Sequence, residues 1–248
     1  MSRVARSAEE SGVISLKYAL ELARRRLVFS SGSRAIDGLL DGGFRTGESV
    51  EVFGESNTGK TQLAMQATLS PVAKGHTAAF IDTEGTFRPE RLARMAELRG
   101  MDPNLVLSRV YFVRAESTTQ QWEALRNSQK LEGCRMVAVD TVTKNFTLEY
   151  GGAKLAARRQ TALAAYLNRL DWDAFAHDRA IILTNRVASV GGPDTASVRR
   201  DVDIGGETLR RGVQRVLQLQ RRGGLVHATL IGAEGRETDT RITESGLE

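Results

Sequence analysis

Two rhythms of apolar residues alternate along this chain. Short strand-like runs recur at residues 49–53, 77–82, 110–115, 136–140 and 181–184. Between them, over residues 89–99, 118–131 and 155–175, apolar side chains return every three or four positions, the spacing of a helix. Pro89 suits a first helical turn, where its missing N–H is not needed. Strands that are apolar throughout, alternating with helices, predict a parallel sheet covered on both faces. After about residue 212 the rhythm changes. Residues 213–221 and 225–231 read as two strands joined at Gly223 and Gly224, an antiparallel hairpin closing the sheet. The expected fold class is therefore α/β, with a mainly parallel twisted sheet, helices on both faces and a C-terminal antiparallel hairpin. Residues 187–206 are glycine-rich with only isolated apolar positions, long for a connection, and such loops are functional or mobile.

At the other end, Leu16, Ala19, Leu20, Leu22 and Ala23 lie at helical spacing before Arg24, Arg25 and Arg26. Residues 1–27 read as a short stub and residues 28–248 as one core, and 248 residues suffice for one large domain. No run approaches the ~18 apolar residues needed to cross a bilayer, and no secretory signal opens the chain, so a cytoplasmic place is expected. The single cysteine, Cys134, excludes an internal disulfide and a cysteine-rich metal site. The 35 Lys and Arg residues exceed the 30 Asp and Glu residues, giving a net charge of +5. That balance suits a polyanionic partner such as nucleic acid, although solvated faces carry such an excess too.

Chemistry enters at residues 54–61, Gly-Glu-Ser-Asn-Thr-Gly-Lys-Thr, which fit the phosphate-loop pattern between a strand and a helix start. In such a loop, glycines let backbone N–H groups turn toward phosphate oxygens, and the helix N-terminus adds partial positive charge. Gly54, Glu55, Ser56, Asn57, Thr58 and Gly59 form the cradle, with Gln62 just beyond. Lys60 reaches β- and γ-phosphates, and the Thr61 hydroxyl ligates Mg²⁺. Asp140 closes an apolar strand at the sheet edge where ligands bind in open α/β folds, and reads as the second member of the magnesium shell. Glu84, just past the 77–82 strand, is the candidate general base for water attacking the γ-phosphate. Asp82 competes for that role.

The segment FSSGSRAIDGLLDGGFRTGESVEVFGESNTGKTQL, followed by FIDTEGTFRPERL, resembles the recombinases of the RecA superfamily, most of all archaeal RadA and its eukaryotic counterparts. VDTVTKNF, ILTNRV and RITESGLE extend the resemblance from about residue 16 to the end. It implies a RecA-type P-loop NTPase core and an ATPase that uses ATP and Mg²⁺. It further implies assembly on single-stranded DNA, with double-stranded DNA as a second polymer, in homologous recombination and repair at the nucleoid. Glu84 matches the catalytic glutamate, and Arg91 matches an arginine that packs on the adenine ring. Residues 145–156 and 187–206 match the two DNA-binding loops, in which Lys154, Arg199 and Arg200 would meet phosphates. Leu16 and Ala19 match the polymerisation motif through which subunits join into a filament or ring, with Leu16 where Phe is usual. The rival reading of that segment is an amphipathic helix packed on its own domain.

The departures are specific. An N-terminal helix-hairpin-helix domain is expected to be lacking, which resembles RadB and other core-only paralogues. Arg186 stands where a phosphate-sensing glutamine is usual, Arg211 where a histidine is, and Ala153 where an arginine is. The segment that caps a neighbour's ATP differs around residues 232–237. These changes bear on DNA-stimulated hydrolysis and strand exchange rather than on ATP binding. They support an alternative: an accessory protein that partners a full-length recombinase and uses ATP as a switch.

Overall fold

A computed structural model of the chain describes residues 14–190, 200–203 and 205–248, with backbone alone for residues 188–190 and 200–203. The principal strands are β1 (Val28–Phe29), β2 (Phe44–Arg45), β3 (Glu48–Gly54), β4 (Thr77–Asp82), β5 (Val110–Arg114), β6 (Cys134–Asp140), β7 (Ala180–Val190), β8 (Arg200–Asp203), β9 (Arg215–Arg222), β10 (Leu225–Leu230), β11 (Glu237–Thr240), β12 (Ile242–Thr243) and β13 (Gly246–Leu247). The helices are α1 (Leu16–Arg24), α2 (Arg34–Leu39), α3 (Lys60–Ala67), α4 (Leu69–Ala73), α5 (Pro89–Leu98), α6 (Pro103–Arg109), α7 (Thr118–Ser128), α8 (Lys144–Glu149), α9 (Ala156–His177) and α10 (Gly206–Arg211). The main sheet runs in the order β11-β10-β9-β3-β7-β6-β4-β5, with β8 paired to the far end of β7.

The strands from β9 across to β5 pair in parallel. The expected hairpin is present: β9 and β10 pair antiparallel around Gly223 and Gly224, and an unforeseen third strand, β11, adds to them. Successive residues of one strand enter opposite cores, as the two-residue strand period requires. On one face Val50, Val52 and Phe80 share a core with Leu63 of α3 and Met95 of α5. On the other, Ile81, Val139 and Leu183 share a core with Tyr166 and Leu170 of α9. Both faces are covered, so the parallel-sheet expectation holds.

Several sequence-level boundaries are corrected. The helix expected over residues 59–69 after the phosphate loop is α3, which ends at Ala67, and a separate short helix, α4, follows; Pro71 cannot donate to the carbonyl four residues back and its ring crowds it. The stretch 145–156, expected to be irregular, contains most of α8 and a 3₁₀ turn at Ala153–Leu155. Of the stretch 187–206, residues 191–199 and 204 lie outside the described residues; in the remainder β7 continues to Val190 and pairs with β8, and α10 begins at Gly206. β5, expected among strands buried on both faces, lies at the sheet edge with Tyr111 and Phe112 exposed. α1 buries no residue against the core, which counts against its packing on its own domain.

Leu183 tests this architecture, since it sits fully buried on β7 between β3 and β6. Leu183→Ala should destabilise the fold by about 2–5 kcal/mol. In a urea titration it should appear as a lower midpoint with unchanged slope.

Candidate nucleotide site

The C-terminal ends of β3, β4 and β6 meet the middle of β7 on one edge of the sheet. β3 delivers Gly54, which must lack a side chain: a Cβ there would lie 2.1 Å from the Leu219 carbonyl oxygen of β9. At the other end of the loop Gly59 caps α3 in the left-handed region, with φ of 91°. Glu55, Ser56 and Asn57 are exposed between them, and Asn57 also takes a positive φ. Thr58 is buried, its hydroxyl donating to the Glu55 carbonyl at 2.9 Å.

Lys60 turns back over this loop. Its Nζ donates to the Glu55 carbonyl at 2.5 Å and approaches the Thr58 hydroxyl at 3.4 Å. Burial lowers the Lys60 pKa to about 8; the Asp140 carboxylate opposes that shift and the Arg186 cation adds to it. The next residue, Thr61, donates its hydroxyl to Asp140 Oδ2 at 2.9 Å. The Thr184 hydroxyl on β7 donates to Asp140 Oδ1. Asp140 is fully buried, and burial raises its pKa against the two hydroxyl hydrogen bonds.

The turn after β4 is stapled to the end of β6. The Thr83 N–H and the Glu84 N–H donate to the Asp140 carbonyl at 2.8 and 3.3 Å. The Thr83 hydroxyl donates to the Thr141 carbonyl at 2.9 Å, and Lys144 donates to the Thr83 carbonyl at 2.6 Å. This places Glu84 over the strand ends: the Thr141 hydroxyl donates to its Oε1 at 2.9 Å and Arg186 Nη2 to its Oε2 at 2.5 Å. Asp82 is spoken for by its own turn. It accepts from the Gly85 N–H at 2.7 Å and the Phe87 N–H at 3.2 Å, with the Arg114 guanidinium 3.5 Å away.

A cavity of about 380 Å³ opens beside the loop, lined by Asn57, Lys60, Gln62, Arg221 and Ile242 among others. Two further clefts, about 390 and 460 Å³, are as large, so size alone does not single it out. The phosphate loop does. Arg91 lies near it, donating to the Gln62 side-chain oxygen at 3.3 Å and to the Thr243 carbonyl at 2.9 Å. Lys154 lies in the 3₁₀ turn before α9. Arg200 begins β8, of which only backbone is described, and Arg199 lies outside the described residues. Leu16 is 90% exposed and Ala19 partly covered on α1.

Sequence reasoning missed Thr141, Thr184, Lys144 and Arg221. The hydroxyls had a signal, since Thr83 and Thr141 each stand just past the end of a strand at this edge and Thr184 closes the apolar run of residues 181–184 within β7. Arg221 had none within its alternating strand.

The sequence pattern of the Rad51 family matches residues 23–234. A protein of Metallosphaera sedula named "DNA repair and recombination protein RadA" is 36% identical over 220 residues, covering 84% of this chain and 67% of that protein. A protein of the same name from Ignicoccus hospitalis is 33% identical over 239 residues, covering 90% of this chain and 72% of that protein. With a parallel sheet carrying a phosphate-loop sequence at its centre, and these relatives, the chain belongs to the Rad51 family of RecA-superfamily recombinases.

Proposed function

We propose that this chain binds ATP with Mg²⁺ on the loop of residues 54–61, hydrolyses it, and acts on single-stranded DNA in recombination and repair within the cytoplasm, at the nucleoid. The observation that carries this reading is the convergence of Lys60, Thr61, Asp140 and Glu84 beyond the ends of β3, β6 and β4 on one edge of the sheet. The donor set fits a magnesium triphosphate: an ammonium for phosphate oxygens, and a hydroxyl and a carboxylate as the hard ligands Mg²⁺ prefers. Thr61 and Asp140 would hold the ion, which would supply neutralisation of phosphate charge. Lys60 exchanges the Glu55 carbonyl for β- and γ-phosphate oxygens. Glu84 takes the proton of the attacking water. Gln62 and Arg91 border the base, and Arg91 stacks on it.

Residues 28–248 form the catalytic unit in this reading. Lys154, Arg199 and Arg200 supply phosphate contacts to DNA. Leu16 and Ala19 join one subunit to the next, a role favoured by the exposure of Leu16 on a helix that buries nothing against its own core.

A second reading is favoured by the Arg186–Glu84 ion pair: an accessory factor that partners a full-length recombinase and switches on ATP with slow turnover. In the first reading the purified chain with ATP and Mg²⁺ forms joint molecules; in the second it binds DNA without strand exchange. Failure to associate with single-stranded DNA at low salt, where phosphate contacts are strongest, would overturn both.

Lys60→Ala should lower ATP hydrolysis by more than about a hundredfold, as loss of a site cation aimed at developing charge does. Glu84→Gln should stop turnover while sparing binding. Wild-type hydrolysis rates in both variants would sink the assignment.

The Lys60 pKa gives a pH signature. Near pH 8 the ligand-free amine is about half protonated, and phosphates require the ammonium, so ATP binding should take up about half a proton. Uptake should vanish near pH 6.5, where the amine is already charged, and affinity should fall as pH rises above 8. Calorimetry in buffers of differing ionisation heat measures this, and Lys60→Arg should abolish it.

A further inference from the structure

We infer that Arg186 is a positioning residue that holds Glu84 out of reaction, so that hydrolysis waits on the release of one ion pair. This inference rests on the proposed ATPase reading. β7 runs beside β3 with Arg186 level with Gly54, the first residue of the phosphate loop. From there its side chain crosses the end of β6 to reach a carboxylate borne on the turn after β4. Arg186 Nη2 donates to Glu84 Oε2 at 2.5 Å, and the Thr141 hydroxyl takes Oε1 at 2.9 Å.

Both oxygens of Glu84 are thus engaged, and the side chain is only 10% exposed. Each oxygen keeps a second lone pair, but donors on both oxygens fix the direction the carboxylate faces, so re-aiming it at an attacking water requires one of the two contacts to give way. The Thr141 contact is the harder to lose, because Thr141 is buried and its N–H adds a further tie to the turn, donating to the Thr83 hydroxyl at 2.9 Å. The Arg186 contact is the freer one: its side chain is 55% exposed. A guanidinium this close to the phosphate loop also has a competing anion when a triphosphate is bound there. Transfer of Arg186 from Glu84 to a terminal phosphate oxygen would free Oε2 for water. A glutamine at this position, being neutral, would form no such ion pair.

The test is steady-state ATP hydrolysis by the full chain and its Arg186→Gln, Arg186→Lys and Glu84→Gln variants, with ATP binding measured separately. Arg186→Gln should raise kcat about fivefold, the weight of a part-exposed ion pair, and leave KM within about twofold. Arg186→Lys, which keeps a cation, should restore the slow turnover. A general structural disturbance would move KM and would not separate glutamine from lysine. An Arg186→Gln kcat equal to or below the wild-type value, with ATP still bound, overturns the inference and leaves the ATPase reading standing. If the wild type binds no ATP, or Glu84→Gln hydrolyses normally, the ATPase reading itself fails.

Discussion

A carboxylate buried at the centre of a sheet is the constraint on which this site rests. Asp140 ends β6 with no access to solvent, and a buried charge is tolerated only when its surroundings supply hydrogen bonds. Two hydroxyls supply them, Thr61 from the start of α3 and Thr184 from β7. Satisfying one side chain therefore fixes the phosphate-loop helix against two strands. The backbone of the same residue accepts from Thr83 and Glu84, so the turn after β4 is set by the same strand end. Lys60, one residue before Thr61, is carried along.

Three carboxylates crowd this edge, and each is balanced differently. Asp82 is held by backbone amides with Arg114 nearby, and Glu84 by a hydroxyl and the Arg186 guanidinium. Asp140 is held by neutral hydroxyl donors. A neutral donor steadies a carboxylate without cancelling its charge, which is the condition a metal ligand needs. The three carboxylates thus differ in the chemistry of their partners.

Much of this was legible in the sequence, and the limits have physical causes. Residues 77–82 match β4 because a strand buried on both faces leaves an unbroken apolar run. Residues 110–115 carry a similar run in Tyr111, Phe112 and Val113, yet β5 lies at an edge, because apolarity alone does not say how many neighbours a strand has. β11, with the sequence Glu-Thr-Asp-Thr, has no apolar signature at all and is a strand because β10 offers it a ladder. Within the site, the phosphate loop announced itself through consecutive residues. The Glu84–Arg186 pair joins positions 102 apart in sequence, and no spacing rule reaches so far. The turn that the Asp82 carboxylate caps likewise lay beyond any spacing rule.

The sheet order also bears on how the chain is made. β3 sits between β7 and β9, so the strand that leads into the phosphate loop is completed by residues 180–190 and 215–222. At a ribosome's pace of about 5–20 residues per second, roughly 6–25 seconds separate the synthesis of β3 from that of its first neighbour. Through that interval Val50, Val52 and Phe53 have no sheet to join. The nascent polypeptide is thus most exposed to misassociation in the very segment that leads into the phosphate-loop sequence, and a chaperone acting during translation would find its earliest client surface there.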